Sequence, residues 1–208
     1  YQAGLRVEQL LSDSELELTS EKFSRSYPSL YPSVHLQYEK NEKSQFQLSY
    51  SRRVSRPSHR QLNPFVDYSD SLNIRYGNPK LDPEFINSYE LGWLYFTKKG
   101  SLNATAFYRH TTGIIERITE LREGGITAGT FENLGSASNL GIEMIVNGDI
   151  NKWLKANANV SGFRTVVVGD EIAGIETVTG TVFTAKANVT FMVFKDLSLM
   201  LSGNYRSP

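Results

Sequence analysis

The chain has 208 residues, and its 22 lysines and arginines balance 22 aspartates and glutamates, so the formal net charge is zero. A balanced charge argues against a nucleic-acid-binding protein, which normally carries a basic excess. The sequence contains no cysteine, which excludes disulfide scaffolds, thiolate zinc sites and cysteine nucleophiles. No apolar run approaches the roughly 18 residues of a membrane-spanning helix.

A repeat of two residues dominates the sequence. Apolar side chains alternate with mostly polar ones through 140–150, 154–161 and 183–193. Strict alternation indicates half-buried β-strands, because successive side chains of a strand point to opposite faces. We therefore predict an all-β protein of about nine strands. They are placed at 3–9, 33–40, 44–54, 86–97, 101–113, 138–150, 153–166, 181–194 and 197–206.

The connections between these strands alternate between short and long. The short turns are 41–43, 98–100, 151–152 and 195–196, and the long connections are 10–32, 55–85, 114–137 and 167–180. In an antiparallel up-and-down meander, alternate connections lie at opposite ends of the sheet. Bacterial outer-membrane barrels have short periplasmic turns at one end and long extracellular loops at the other. The pattern therefore predicts an arc of a transmembrane β-barrel.

Within the connection 114–137 we expect a hairpin that continues above the membrane. Its strands would be 114–122 and 127–134, with the turn at Gly124 and Gly125. The glutamates of this hairpin are then solvated surface residues.

The two faces of the predicted sheet differ in chemistry. The polar face, rich in Asn, Thr, Ser and Gln, suits a hydrated or plugged lumen. The apolar face contains several Ala and Gly residues, which pack poorly as a soluble core but cost little against lipid. Tyr38, Trp153 and Phe194 lie near short turns, and Tyr50 and Tyr108 lie towards the opposite strand ends. This placement favours aromatic girdles at both membrane interfaces, although aromatic residues are common in strands generally.

Residues 50–92 contain a series of motifs. The run Ser-Arg-x-x-x-Arg-Pro covers 51–57, Leu-Asn-Pro-Phe covers 62–65, Gly-Asn-Pro-x-Leu-x-Pro-Glu covers 77–84, and Glu-x-Gly covers 90–92. The series resembles the barrel region of TonB-dependent receptors, most closely the outer-membrane β-barrel family common in Bacteroidetes. Phe107-Tyr108-Arg109, Asn133 and Gly141-Ile142-Glu143 also resemble that family, and the resemblance extends over about 1–206.

The resemblance implies the barrel of an energy-coupled nutrient importer in the outer membrane of a Gram-negative bacterium. Such receptors have about 22 strands around a plugged lumen. Residues 1–208 are then a partial barrel domain, read as part of a longer protein, because the plug domain, the TonB box and the remaining strands are not recognisable in the sequence. The implied partners are membrane lipid and lipopolysaccharide, the plug domain of the same protein and, through the plug, TonB. The ligand stays open among siderophore, cobalamin, glycan and peptide.

The candidate contact residues lie in the 50–92 block. Arg52, Arg53 and Arg56 stand where the third predicted strand leaves the membrane, and their guanidinium groups could pair with plug carboxylates or with lipopolysaccharide phosphates. Arg53 alternates with the polar face and Arg52 with the apolar face, so we expect them to have different partners. The plainer alternative is that these arginines end a strand at a polar interface. The other candidate contacts with plug, lipopolysaccharide or ligand are Asn63, Phe65, Asn78 and Glu90.

No catalytic constellation is recognisable, and we predict neither an enzyme nor a cofactor. His35, His59 and His110 are scattered, without ligand spacing for a metal. A calcium ion at the acidic residues of 67–84 stays open, although their spacing is not that of an EF-hand. The alternative to a receptor barrel is a secreted or cell-surface β-sandwich of the carbohydrate-binding type.

Overall fold

The computed structural model describes residues 1–16, 21–169, 177–194 and 197–208, and their side chains except at 12–16, 21, 23 and 25. Ten strands account for most of these residues. The strands are β1 (Gln2–Leu16), β2 (Glu21–Asn41), β3 (Ser44–Ser55), β4 (Asn73–Arg75), β5 (Glu84–Thr97), β6 (Gly100–Leu121), β7 (Thr127–Asn151), β8 (Leu154–Val168), β9 (Val178–Phe194) and β10 (Leu197–Arg206). A helix α1 (His59–Leu62) and a 3₁₀ turn (Glu123–Gly125) complete the described elements.

All ten strands belong to one sheet, in the order β1-β2-β3-β5-β6-β7-β8-β9-β10. Every neighbouring pair in this path is antiparallel. The predicted all-β antiparallel meander is therefore confirmed, and the single sheet contradicts the alternative of a two-sheet sandwich. The strand that the prediction lacked is β4, which is only three residues long and pairs in parallel with the start of β7.

The predicted long connection 10–32 was wrong, because its described residues are mainly strand. The ladder between β1 and β2 runs without a break from Gln2↔His35 to Leu16↔Glu21. Pro28 and Pro32 lie within β2, although proline cannot donate to a ladder. The proline-containing part of β2 pairs with β1 alone, because β3 joins only from Ser33 onward, and an unpaired side tolerates a missing N–H. Residues 17–20 lie outside the described part.

The predicted hairpin extension in 114–137 is confirmed. Strand β6 continues to Leu121, the chain turns at Glu123–Gly125, and β7 returns from Thr127. The short turn predicted at 195–196 and half of the predicted connection 167–180, residues 170–176, lie outside the described residues. Of the other half, 167–168 belong to β8 and 178–180 to β9.

Neighbouring rows of side chains across the sheet differ in polarity. One row, in register through six strands, is Leu36, Leu48, Leu91, Ala106, Ile142 and Gly162. The adjacent row, on the opposite face, is Gln37, Gln47, Gly92, Thr105, Glu143 and Ser161. Leu48, Leu91 and Ile142 are all more than half exposed. No described part of the chain therefore covers these apolar side chains, as expected of the lipid-facing surface of a membrane barrel.

A row of tyrosines borders the apolar face at the end of the sheet that carries the long connections. Tyr50, Tyr89 and Tyr108 are register partners on β3, β5 and β6, with ring centroids 4.9 Å and 6.2 Å apart. Tyr108 lies eight residues after the first residue of β6, and a tilted membrane strand needs about 9–11 residues. The row therefore agrees with the predicted girdle at the outer interface.

The small apolar core lies beyond this row. Proline aside, four of the five apolar side chains that are buried in the described part of the chain are Ile74 and Leu81, of the connection between β3 and β5, and Ala128 and Leu134, of β7. The core therefore joins the connection to the β6–β7 hairpin extension. No helix among the described residues has the length and apolar character to cross a bilayer.

Candidate functional site

The connection 56–83 between β3 and β5, here called the docked loop, lies across the β6–β7 hairpin extension. Its strand β4 pairs with 127–129 of β7. The amide of Tyr76 donates to the carbonyl of Gly129 at 3.1 Å, and the amide of Thr127 donates to the carbonyl of Leu72 at 2.8 Å. The docked loop thus adds a short strand to the side of β7 that β8 leaves free.

At Gly77 and Asn78 the docked loop crosses its own earlier segment, residues 61–63, at close range. The amide of Gly77 donates to the carbonyl of Asn63 at 2.7 Å, and that of Asn78 donates to the carbonyl of Gln61 at 2.6 Å. A Cβ at Gly77 would lie 2.5 Å from the carbonyl oxygen of Gln61, closer than real Cβ contacts come, so only glycine fits. The Nδ2 of Asn78 donates to the carbonyl of Phe131 at 3.0 Å and ties the crossing to β7.

The end of the docked loop is held by a buried leucine and two polar side chains. Leu81 is 1% exposed. Asn133 of β7 accepts the amide of Asp82 at 2.7 Å and donates to the carbonyls of Asp82 and Gly113, both at 2.8 Å. The Oε1 of Glu84 accepts the amide of Ile115 at 2.8 Å. The motif at 77–84 therefore docks the loop onto the hairpin extension.

Two predicted contact residues, Asn63 and Asn78, are thus engaged in folding the docked loop. The Oδ1 of Asn63 accepts the amide of Phe65 at 3.1 Å. Phe65 itself is 51% exposed and lines a cleft between the docked loop and the hairpin extension. Asn133, which sequence reasoning noticed only through the resemblance, is a main anchor of the loop.

The cleft has a volume of about 240 Å³. Cationic and aromatic side chains make up most of its lining, namely Arg60, Arg75 and Arg117 with Phe65, Tyr76 and Phe131. Asp67 also lines it, and hydrogen bonds from Ser69, with a smaller contribution from the Arg75 and Arg60 charges, lower the pKa of its carboxyl. Sequence reasoning missed Arg75 and Arg117, because only the pairing of β4 with β7 brings them to one place.

The three predicted arginines near the end of β3 have different environments. The guanidinium of Arg52 lies over the Phe85 ring, 4.8 Å from its centroid. Arg53 is exposed. Arg56 pairs with Glu8 of β1 at 2.5 Å, and this hydrogen bond raises the pKa of the guanidinium. Arg56 therefore links the end of β3 to β1 across β2.

Glu90 lies on the polar face of the spanning sheet. Its Oε1 is 3.7 Å from the Nη2 of Arg109 and accepts a hydrogen bond from the Oγ of Ser88 at 3.3 Å. Further along the same face, Glu143 accepts a hydrogen bond from Asn159 at 2.8 Å. Carboxylate, amide and hydroxyl groups thus cover the face that a barrel turns to its lumen.

Two acidic side chains of the docked loop accept hydrogen bonds from backbone amides of the same loop. Asp67 accepts the amide of Ser69 at 2.9 Å, and Asp70 accepts the amide of Leu72 at 2.9 Å. Within the described ranges, no group of three histidine, aspartate or glutamate side chains could hold a metal ion.

An open antiparallel meander with an apolar outer face, an aromatic rim and a polar inner face is the architecture of an outer-membrane barrel wall. The chain belongs to the outer membrane protein beta-barrel family, whose model matches residues 1–208. Its location is therefore the outer membrane.

Solved structures with the same fold are receptors and transporters. The siderophore receptor PirA from Pseudomonas aeruginosa is 16% identical, with a TM-score of 0.70 over 98% of this chain and 38% of its own. The hemophore receptor HasR from Serratia marcescens, solved with its hemophore HasA and heme, is 14% identical, with a TM-score of 0.67 over 99% and 39%. The iron transporter FrpB from Neisseria meningitidis is 16% identical, with a TM-score of 0.64 over 98% and 30%.

The chain spans less than two fifths of the length of these three structures. At such identities the similarity establishes the fold alone. No curated protein matches the sequence significantly.

Proposed function

We propose that the chain is part of the barrel of a TonB-dependent receptor that imports a scarce nutrient across the outer membrane. The observation that carries the proposal is the polar face of the sheet. In a wide barrel this face lines a lumen that is either open to water or filled by another polar domain. Similarity to a siderophore receptor, an iron transporter and a hemophore receptor supports the filled, energy-coupled alternative.

The proposal assigns a partner to each face. Lipid covers the apolar rows, and a plug domain of the same protein contacts the polar rows around Glu90 and Glu143. Through the plug, TonB couples import to the inner membrane. Arg53 is the arginine of the β3 end that we propose to contact the plug, since it alternates with the polar face. The motifs of 50–92 further support a family of the Bacteroidetes type.

The test uses the full-length gene product, purified in detergent, and the periplasmic domain of TonB. We expect the two to bind, and we expect deletion of the predicted plug domain to abolish the interaction while the barrel still folds. Uptake of ferric siderophores, heme, cobalamin and copper by the parent cell is then compared with uptake by a strain lacking the gene. At least one uptake rate should fall in that strain and should collapse when the proton gradient is dissipated.

Two results would overturn the proposal. One is a full-length protein that lacks a plug domain and does not bind TonB. The other is solute flux through the purified barrel that is passive and persists without TonB.

A further inference from the structure

The cleft beneath the docked loop holds more positive than negative charge. Arg60, Arg75 and Arg117 all line it, against the single carboxylate of Asp67. In the part of the chain that the structure describes, none of these three guanidinium groups makes an ion pair or a side-chain hydrogen bond. Guanidinium groups that share a concave space repel one another, so the arrangement is suited to an anion that neutralises them.

The strand register explains how this charge is gathered. Arg75 of β4 is the register partner of Gly129 on β7, and Arg117 of β6 is the partner of Phe131, two residues further along the same face of β7. Gly129 leaves room for one of these guanidinium groups, because a Cβ there would lie 2.8 Å from the Nη2 of Arg117. The space left by the missing side chain at Gly129 therefore forms part of the cleft.

The position of the cleft along the strands decides where the anion comes from. Arg117 lies nine residues beyond Tyr108 on β6, and Tyr108 belongs to the aromatic row at the outer interface. At about 3.3 Å per residue, this is about 30 Å along the strand. A strand tilted by about 45° therefore carries Arg117 well above the lipid headgroups. A soluble anion reaches this position more readily than a lipid phosphate does.

We propose that the cleft binds a carboxylate or phosphate group attached to a planar ring, carried by a soluble ligand at the outer surface. This inference rests on the proposed receptor function and specifies the chemistry of its ligand. Arginine forks pair with the two oxygens of such a group in bidentate geometry, and Phe65, Tyr76 and Phe131 offer aromatic surface to the ring. At about 240 Å³, the cleft is smaller than a whole-ligand pocket of roughly 300–1,000 Å³, so it takes one substituent of a larger ligand.

The test uses phenyl phosphate as the probe and the full-length gene product in detergent at about 0.15 M salt. Equilibrium binding is followed by calorimetry. We expect phenyl phosphate to bind and phenol not to bind. The double substitution Arg75→Gln with Arg117→Gln should weaken binding at least tenfold. Lys80→Gln is the matched control, because it removes one charge from an exposed residue of the same loop outside the cleft, and it should leave the affinity unchanged.

Gly129→Ala provides a second variant that keeps every charge. The added Cβ displaces the Arg117 guanidinium, the mobile end of a flexible side chain, so we expect affinity to fall about threefold to tenfold while thermal unfolding stays the same. A weaker effect in the double arginine variant than in Lys80→Gln would overturn the proposal, and so would the absence of phenyl phosphate binding.

A lipid source for the anion is tested separately, in nanodiscs with and without lipopolysaccharide. If lipopolysaccharide displaces the probe and its own binding depends on Arg75 and Arg117, the site belongs to a lipid phosphate and the soluble-ligand proposal is wrong. The binding assay needs no TonB. Probe binding that persists in a protein without energised uptake would therefore contradict the receptor function alone, whereas energised uptake without probe binding would contradict the cleft alone.

Discussion

The spanning sheet and the docked loop are stabilised by different surroundings. In the sheet, large apolar residues such as Leu91 and Ile142 remain more than half exposed, and lipid supplies their apolar environment. In the docked loop, Leu81 is almost completely buried within the protein, and asparagine and glutamate side chains satisfy the backbone. The sheet therefore depends mainly on the polarity of each row of side chains, whereas the loop depends on particular residues.

The largest expected effect is in the loop. Leu81→Ala leaves a cavity in the apolar core of this region, and such changes cost about 2–5 kcal/mol. We expect this cost to fall on loop docking, so hydrogen exchange should accelerate at the amides of Tyr76, Gly77 and Asn78. Leu72→Ala, at a residue that is 58% exposed, is the control. Equal acceleration in both variants would show that the loop is not held by its core.

The next effect distinguishes the two faces of the sheet. Met144, 42% exposed on the apolar face, should tolerate arginine poorly, because a cation near the bilayer midplane costs about 2–4 kcal/mol. Glu143→Arg, on the opposite face, loses one hydrogen bond from Asn159 to a carboxylate, worth about 1.5 kcal/mol at this partly exposed position. Urea titration of the full-length protein in phospholipid vesicles measures both. A larger loss for Glu143→Arg would reverse the assignment of the faces.

A smaller effect tests the polar anchor of the loop. Asn133→Ala removes three hydrogen bonds to backbone groups, and we expect a loss of about 1–3 kcal/mol in loop docking. The readout is limited proteolysis of the docked loop in the intact protein. Asn147→Ala, an exposed asparagine near the short-turn end of β7, should leave the cleavage rate unchanged.

The smallest effect is a pH dependence of the docked loop. Hydrogen bonds from Ser69 lower the pKa of Asp67 below its ordinary value of 3.8. A lowered carboxyl pKa adds stability that is fully present above the ordinary value and is lost as pH falls through the folded-state pKa. We expect exchange at the Ser69 amide to speed up below about pH 4 relative to its intrinsic rate. Asp67→Asn should remove this dependence, and its persistence would point to another group.

The contrast between the two regions also explains what the sequence revealed. Where one face of a strand meets lipid, alternation is strict, and the predictions 44–54, 153–166 and 197–206 differ from β3, β8 and β10 by at most two residues. Beyond the membrane, neither face of β1 and β2 meets lipid. The alternation of apolar and polar residues therefore fades there, although the two strands continue to pair. The sequence did not predict strand β4, because three residues are too few to show a repeating pattern of polarity.

The candidate site was predictable only in part, for a related reason. The motifs of 62–65 and 77–84 pointed to the docked loop, but they identified the residues that fold it rather than a binding surface. Arg75, Arg117 and Gly129 are separated by up to 54 positions, and a parallel pairing of three residues assembles them. No local pattern encodes such a pairing, so the cleft emerges only from the three-dimensional structure.

The constant register between β6 and β7 constrains how the outer surface of the protein can evolve. One register runs from Gly100↔Gly148 near the short turns to Leu121↔Thr127 at the tip. Adding two residues to each strand would raise the tip by one pleat and leave every lipid-facing side chain in place. Adding one residue to a single strand would turn the following side chains to the wrong face unless a bulge absorbed it. The height of the hairpin can therefore vary between homologues in matched steps, independently of the barrel wall below it.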